Sequence, residues 1–236
     1  MKKFIAVLVS LLCLAGCNKQ GADWVTISEI VNVQGPVLIN DAGVRYSVSN
    51  SSMLAQIQQL QRVYVTGQIE PASSAQYDYI LYLNEFVAVD VLECVKQSEA
   101  TEETGLGDDP ANLAACWIDG GYINAIVTFS FRSTTGYMGV LNLVYDDQRS
   151  TQDHLYFTVS NNQDGKTWEN MEVSEADLAF GRAVYSFPYT SLLDPAFKGT
   201  VNFHFEWKWF QKNDNNLSVP LRTTEPRSET LSIKIE

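Results

Sequence analysis

The chain has 236 residues, 45% of them hydrophobic and 19% charged, a globular composition too apolar for a disordered protein. It carries 16 basic and 28 acidic residues, a formal net charge of −12. A surface of that sign repels nucleic acid and anionic headgroups, which excludes partners that bind through negative charge.

Residues 1–16 are predicted to be a secretory signal. Lys2 and Lys3 form a positive start, and Phe4 to Leu14 is an apolar run broken only by Ser10 and Cys13. That run is far short of the roughly 20 residues a membrane-spanning helix needs. Small residues Ala15 and Gly16 then precede Cys17, and Asn18, Lys19 and Gln20 follow. Leu14-Ala15-Gly16-Cys17 resembles the lipobox of bacterial lipoproteins. The resemblance implies lipid on the Cys17 thiol and cleavage between Gly16 and Cys17. Removal of Lys2 and Lys3 with the signal leaves 14 cations against 28 carboxylates, a mature charge of −14. Every later apolar stretch is interrupted by polar residues, so acyl chains are the expected membrane anchor, at about 0.8 kcal/mol per buried CH₂.

Residues 17–23 are predicted to be a short tether. Residues 24–95 read as a small β-rich unit with strands at Val25–Val33, Val37–Ile39 and Val44–Val48. Asn40-Asp41-Ala42-Gly43 supplies a hairpin turn. Asn50, Ser51 and Ser52 then offer caps for a helix whose face is Met53, Leu54, Ile57 and Leu60. Arg62–Ile69 alternates as a strand, and Tyr77–Leu92 is one long strand or a bent pair. The order of three strands, a helix and two more strands is that of an OB-like barrel. Such barrels often bind single-stranded nucleic acid by stacking and positive charge. Tyr46, Tyr64, Tyr77, Tyr79 and Tyr82 could stack. Yet Arg45 and Arg62 are the only cations from Trp24 to Cys94, against seven carboxylates. The tyrosines are therefore expected to pack the barrel wall.

Residues 96–110 are an acidic linker, expected to be solvated because Leu106 is its only large apolar side chain. Residues 111–236 alternate with period two. Ile123, Ala125, Val127, Phe129 and Phe131 share one face. Leu141, Leu143 and Tyr145 share another, as do Leu155, Phe157 and Val159, and then Ala183, Tyr185 and Phe187. Val201, Phe203, Phe205, Trp207 and Trp209 follow, and Leu231, Ile233 and Ile235 close the chain. The predicted fold class is all-β: a small OB-like barrel followed by an antiparallel β-sandwich of about seven strands.

The mature chain resembles the NigD-like lipoproteins of Bacteroidetes. The residues that carry the resemblance are Asp41-Ala42-Gly43; Arg62-Val63-Tyr64-Val65; Tyr77-Asp78-Tyr79-Ile80; Trp117-Ile118-Asp119-Gly120-Gly121-Tyr122-Ile123-Asn124; and Asp153 to Phe157 leading to Asn161 to Gly165. The resemblance implies a barrel followed by a sandwich and an envelope address. It implies no established activity.

No pattern carries catalytic chemistry. The two histidines, His154 and His204, fall on polar positions of apparent strands, and no G-x-S-x-G occurs. No zinc spacing is present, and neither a metal nor a cofactor is implied. The carboxylate pairs Asp108-Asp109 and Asp146-Asp147 read as loop charges. Asn161 to Gly165 reads as a hairpin turn rather than a calcium loop. Cys94 and Cys116 could be bridged in an oxidising compartment, but two separately buried thiols are the simpler expectation. The aromatic row from Phe203 to Trp209 is expected to be core, which leaves Trp117 and Trp168 as the exposed aromatic candidates for stacking on sugars.

The expected function is non-catalytic binding or scaffolding of an envelope protein or glycan. Lipid on Cys17 would hold the chain to the outer membrane, facing the periplasm rather than the cell surface. The alternative, from another class, is a glycan-processing enzyme whose carboxylates are assembled by the fold.

Overall fold

The computed structural model describes residues 24–101, 105–132, 139–163, 178–212, 220–222 and 225–236. The signal, the lipobox with Gly16 and Cys17, the tether and Trp168 lie outside the described residues.

The first module is built from β1 (Val25–Gln34), β2 (Val37–Asn40), β3 (Arg45–Val48), a short helix α1 (Ser51–Ile57), β4 (Arg62–Pro71) and β5 (Tyr79–Val91). Neighbouring strands pair antiparallel in the order β3-β2-β1-β4-β5. The parallel pair β3–β5, with Tyr46 opposite Tyr79, then closes the five strands into a barrel. The Asn50 side chain caps α1 by accepting from the Ser52 and Met53 amides, and Ile57 plugs the barrel. Val31, Leu38, Val63, Val65 and Leu81 fill its interior, fully buried. Each such side chain contributes about 1.5–3 kcal/mol by leaving water.

The second module has two facing sheets. One continues from the barrel through β11 (Leu178–Pro188), β8 (Tyr122–Arg132) and β7 (Asn112–Asp119). The other runs β15 (Arg227–Ile235), β12 (Gly199–Trp207), β10 (His154–Asn162), β9 (Val140–Tyr145) and β6 (Val95–Lys96). A hairpin of β13 (Phe210–Lys212) and β14 (Pro220–Arg222) lies between β12 and β15. The alternating rows expected from the sequence face inward. Val201, Phe203, Phe205 and Trp207 from one sheet meet Ile123, Val127, Phe129 and Phe187 from the other. The aromatic row is therefore sandwich core, and only Trp209 at its end is half-buried, under the Arg227 guanidinium.

Two expectations need correction. Pairing in the sandwich is mixed, because β10–β12 and β6–β9 are parallel. The chain leaves β10, crosses to the opposite sheet as β11 and returns as β12 in the original direction, a connection that makes neighbours parallel. The acidic segment after Lys96 is also not free in solvent. Ser98 donates its amide and hydroxyl to Asp147, the Gly107 amide donates to Ser160 Oγ, and the Asp109 amide donates to the Asn161 carbonyl. Backbone hydrogen bonds to β10 dock what apolar burial could not.

Strand β5 joins the modules. Its first ten residues belong to the barrel, and Val89, Asp90 and Val91 pair in parallel with Val184, Tyr185 and Ser186 of β11. Ile30, Val89, Ile126 and Val184 form a third apolar cluster at this seam, flanked by Tyr64 and Trp117.

Candidate functional site

Three of the segments that carry the NigD-like resemblance, at Asp41, at Arg62 and at Trp117 to Asn124, converge at the seam. Arg62 opens β4, and its guanidinium grips Asp41 from the β2–β3 turn through two hydrogen bonds of 2.9 and 2.8 Å. Asn32 accepts from the same guanidinium at 2.7 Å and donates to Asp41 at 3.1 Å. The sandwich contributes Asn124, whose Oδ1 accepts from Arg62 at 3.4 Å and from the Ser186 hydroxyl at 2.6 Å. Tyr122 lies under the guanidinium, 4.0 Å from ring centre to Cζ. The ion pair is closed from water, with side chains 2% and 5% exposed.

Gly120 makes this approach workable. Gly120 adopts φ +55°, and a Cβ there would collide with the Asp41 side chain. Asp119 next to it has its carboxyl pushed above the ordinary carboxylate range, by burial first and by the Asp41 charge second. The network is incompletely satisfied, because Arg62 Nε and Asn124 Nδ2 are buried without a hydrogen-bond partner. A half-satisfied buried pair adds little net stability, but losing one member strands the other charge.

A second polar cluster lies on the outer face of the second sheet. His154 Nδ1 and His204 Nε2 are 2.9 Å apart, and His204 Nδ1 is 3.0 Å from Thr230 Oγ1. The His204 ring stacks on Tyr156 at 4.4 Å between centroids, and Arg149 covers Tyr156 at 3.7 Å. Arg149 also pairs with Glu206 at 3.2 Å. Sequence placed both histidines on polar strand positions. Their meeting was not legible, because it depends on β10 and β12 being neighbours.

The other sequence candidates are spread over the fold. Cys94 and Cys116 are unbridged and half-buried beside the sandwich core, and burial pushes both thiols up to about 12. Asp146 accepts from the Gln148 and Arg149 amides, and Asp147 holds Ser98. Asp108 pairs with Lys208, and Asp109 accepts from the Gln163 amide at 2.7 Å. Both carboxylate pairs are thus engaged in holding loops. Trp117, expected as an exposed aromatic, packs half-buried against the seam. Tyr46 is core and stacks on Tyr79, Tyr64 lines the seam, and Tyr82 donates to Glu70 at 2.6 Å. Among the described residues no three His, Cys, Asp or Glu side chains are grouped to hold a metal ion. Among them, too, no helix is long and apolar enough to cross a membrane.

No protein-family model matches the sequence, and no curated protein matches it. Solved structures do. A NigD-like immunity protein from Bacteroides caccae superposes with a TM-score of 0.56 at 17% identity, over 87% of this chain and 94% of that one. A protein of unknown function, DUF1344, from Bacteroides vulgatus gives 0.58 at 14% identity, over 89% and 92%. A candidate lipoprotein from Bacteroides fragilis gives 0.56 at 11%, over 89% and 98%. The expected likeness to NigD-like proteins is therefore present as a shared all-β fold that spans nearly the whole of each chain.

Proposed function

We propose that the mature protein is a non-catalytic, lipid-anchored protein of the cell envelope that presents a braced two-module β body to a protein or glycan partner. The observation that carries this reading is the seam. The most distinctive motif of the sequence, Trp117 to Asn124, sets the Tyr122 ring and Asn124 Oδ1 against the buried Arg62 guanidinium that holds Asp41. A motif used to lock two modules together serves presentation of a surface rather than chemistry on a substrate. The fold shared with a protein named as an immunity protein, and with a candidate lipoprotein, supports binding at the envelope.

Palmitate labelling of cells expressing the wild-type chain or Cys17→Ala, followed by in-cell crosslinking, tests the proposal. Wild-type protein should carry the label, fractionate with the outer membrane and crosslink to a defined partner, and Cys17→Ala should lose label and membrane association. Persistent labelling of Cys17→Ala would overturn the anchor. Turnover of envelope glycans or peptides by the purified protein would overturn the non-catalytic role.

A further inference from the structure

The chain has only two histidines, 50 residues apart in sequence, and the fold sets them side by side. In the parallel pair β10–β12, His154 stands opposite Asn202 and Tyr156 opposite His204. The histidines are thus diagonal neighbours on one face. Their ring planes lie within 10° and their centroids are 5.2 Å apart. That separation is the 2.9 Å nitrogen distance plus the two ring radii. The imidazoles therefore meet edge to edge in nearly one plane, nitrogen to nitrogen, with their faces turned elsewhere.

We propose that His154 and His204 form a two-imidazole site for a divalent late transition ion, Cu²⁺ foremost, with water completing its shell. Two nitrogen ligands at right angles on such an ion, with bonds of about 2.0 Å, stand about 2.8–2.9 Å apart. The observed 2.9 Å matches that separation. Binding replaces the proton between the rings, and each ring swings until its lone pair meets the ion. Both residues lie half-buried at the solvent face, which leaves room for the swing.

The surroundings fit a cation held by neutral imidazoles. Thr230 Oγ1 lies 3.0 Å from His204 Nδ1, and the Tyr156 ring flanks the imidazole face, so His204 Nε2 is the nitrogen turned towards His154. The His204 imidazole is pushed towards its neutral, ligating form, by burial first and then by His154 and Arg149. Asp153 stands 3.9 Å from His154 Nε2, and Glu206 answers the charge of Arg149. Imidazole nitrogen selects against calcium and magnesium, and among divalent ions affinity rises to Cu²⁺. The two thiols, buried and held protonated, are poor competitors.

Because there are two histidines and no more, a bis-imidazole signal can come only from this pair. Tag-free mature protein should be titrated with Cu²⁺ and examined by electron paramagnetic resonance. The expected result is one ion per chain with splitting from two imidazole nitrogens. His154→Gln and His204→Gln should each remove one nitrogen. Each should also weaken binding by more than the roughly 10–100-fold that follows loss of an outer-shell partner. Near-ultraviolet circular dichroism checks that each variant remains folded. Absence of binding overturns the proposal. So does a copper spectrum without imidazole nitrogen, or one that neither substitution alters.

Discussion

Two arginine–carboxylate pairs in this molecule share the same parts and differ in their surroundings. At the seam Arg62 meets Asp41 at 2.8 Å with Tyr122 against its guanidinium, and the side chains are 2% and 5% exposed. On the outer face Arg149 meets Glu206 at 3.2 Å with Tyr156 against its guanidinium, and the side chains are 49% and 43% exposed. Water screens the second pair and leaves it nearly neutral in free energy. The first pair is dry. Its charges cannot be separated without leaving one of them uncompensated, so it fixes how barrel and sandwich meet. The same chemistry is architecture in one place and an adaptable surface in the other.

The largest effect should come from Arg62→Ala. It strands Asp41 beside the already raised Asp119 carboxyl, and unfolding in urea should show a loss of about 3–5 kcal/mol. A loss below 1 kcal/mol would mean that water reaches the seam and that the contrast fails. Gly120→Ala comes next. Its Cβ meets Asp41 and the backbone there is left-handed, so about 1–3 kcal/mol should be lost in the same measurement. An unchanged midpoint would show that the turn can move away. The smallest effect belongs to Arg149→Ala, which removes an exposed ion pair and a ring contact. Its cost should be about 0–1 kcal/mol and should shrink further in high salt. A cost equal to that of Arg62→Ala would erase the distinction between the two regions.

Where local pattern decides structure, the sequence was informative. The row from Val201 to Trp207 alternates with period two and is core at every second position. Asn50 before Met53, Leu54 and Ile57 marked the helix that plugs the barrel, and the cap forms as expected. The order of strands and helix in residues 24–95 was enough to name the barrel. The histidine pair and the seam were not legible in this way. Asp41 and Arg62 are 21 residues apart, Arg62 and Asn124 are 62 apart, and each looked like an ordinary polar residue on a turn or strand. The acidic segment misled for a related reason. Its side chains forecast solvation, but its backbone found partners on β10.

The sequence by itself determined the all-β class, the facing of the strands with a clear alternating row and the order of a barrel followed by a sandwich. Those follow from short-range physics: the two-residue period of a strand, a capping side chain and a turn that accepts glycine. Tertiary structure alone decided that β10 and β12 run parallel, that His154 lies beside His204, and that one of two similar ion pairs is dry. These depend on which strand the chain returns to after crossing between sheets. That choice is made by packing of the whole core, and no local window of residues contains it.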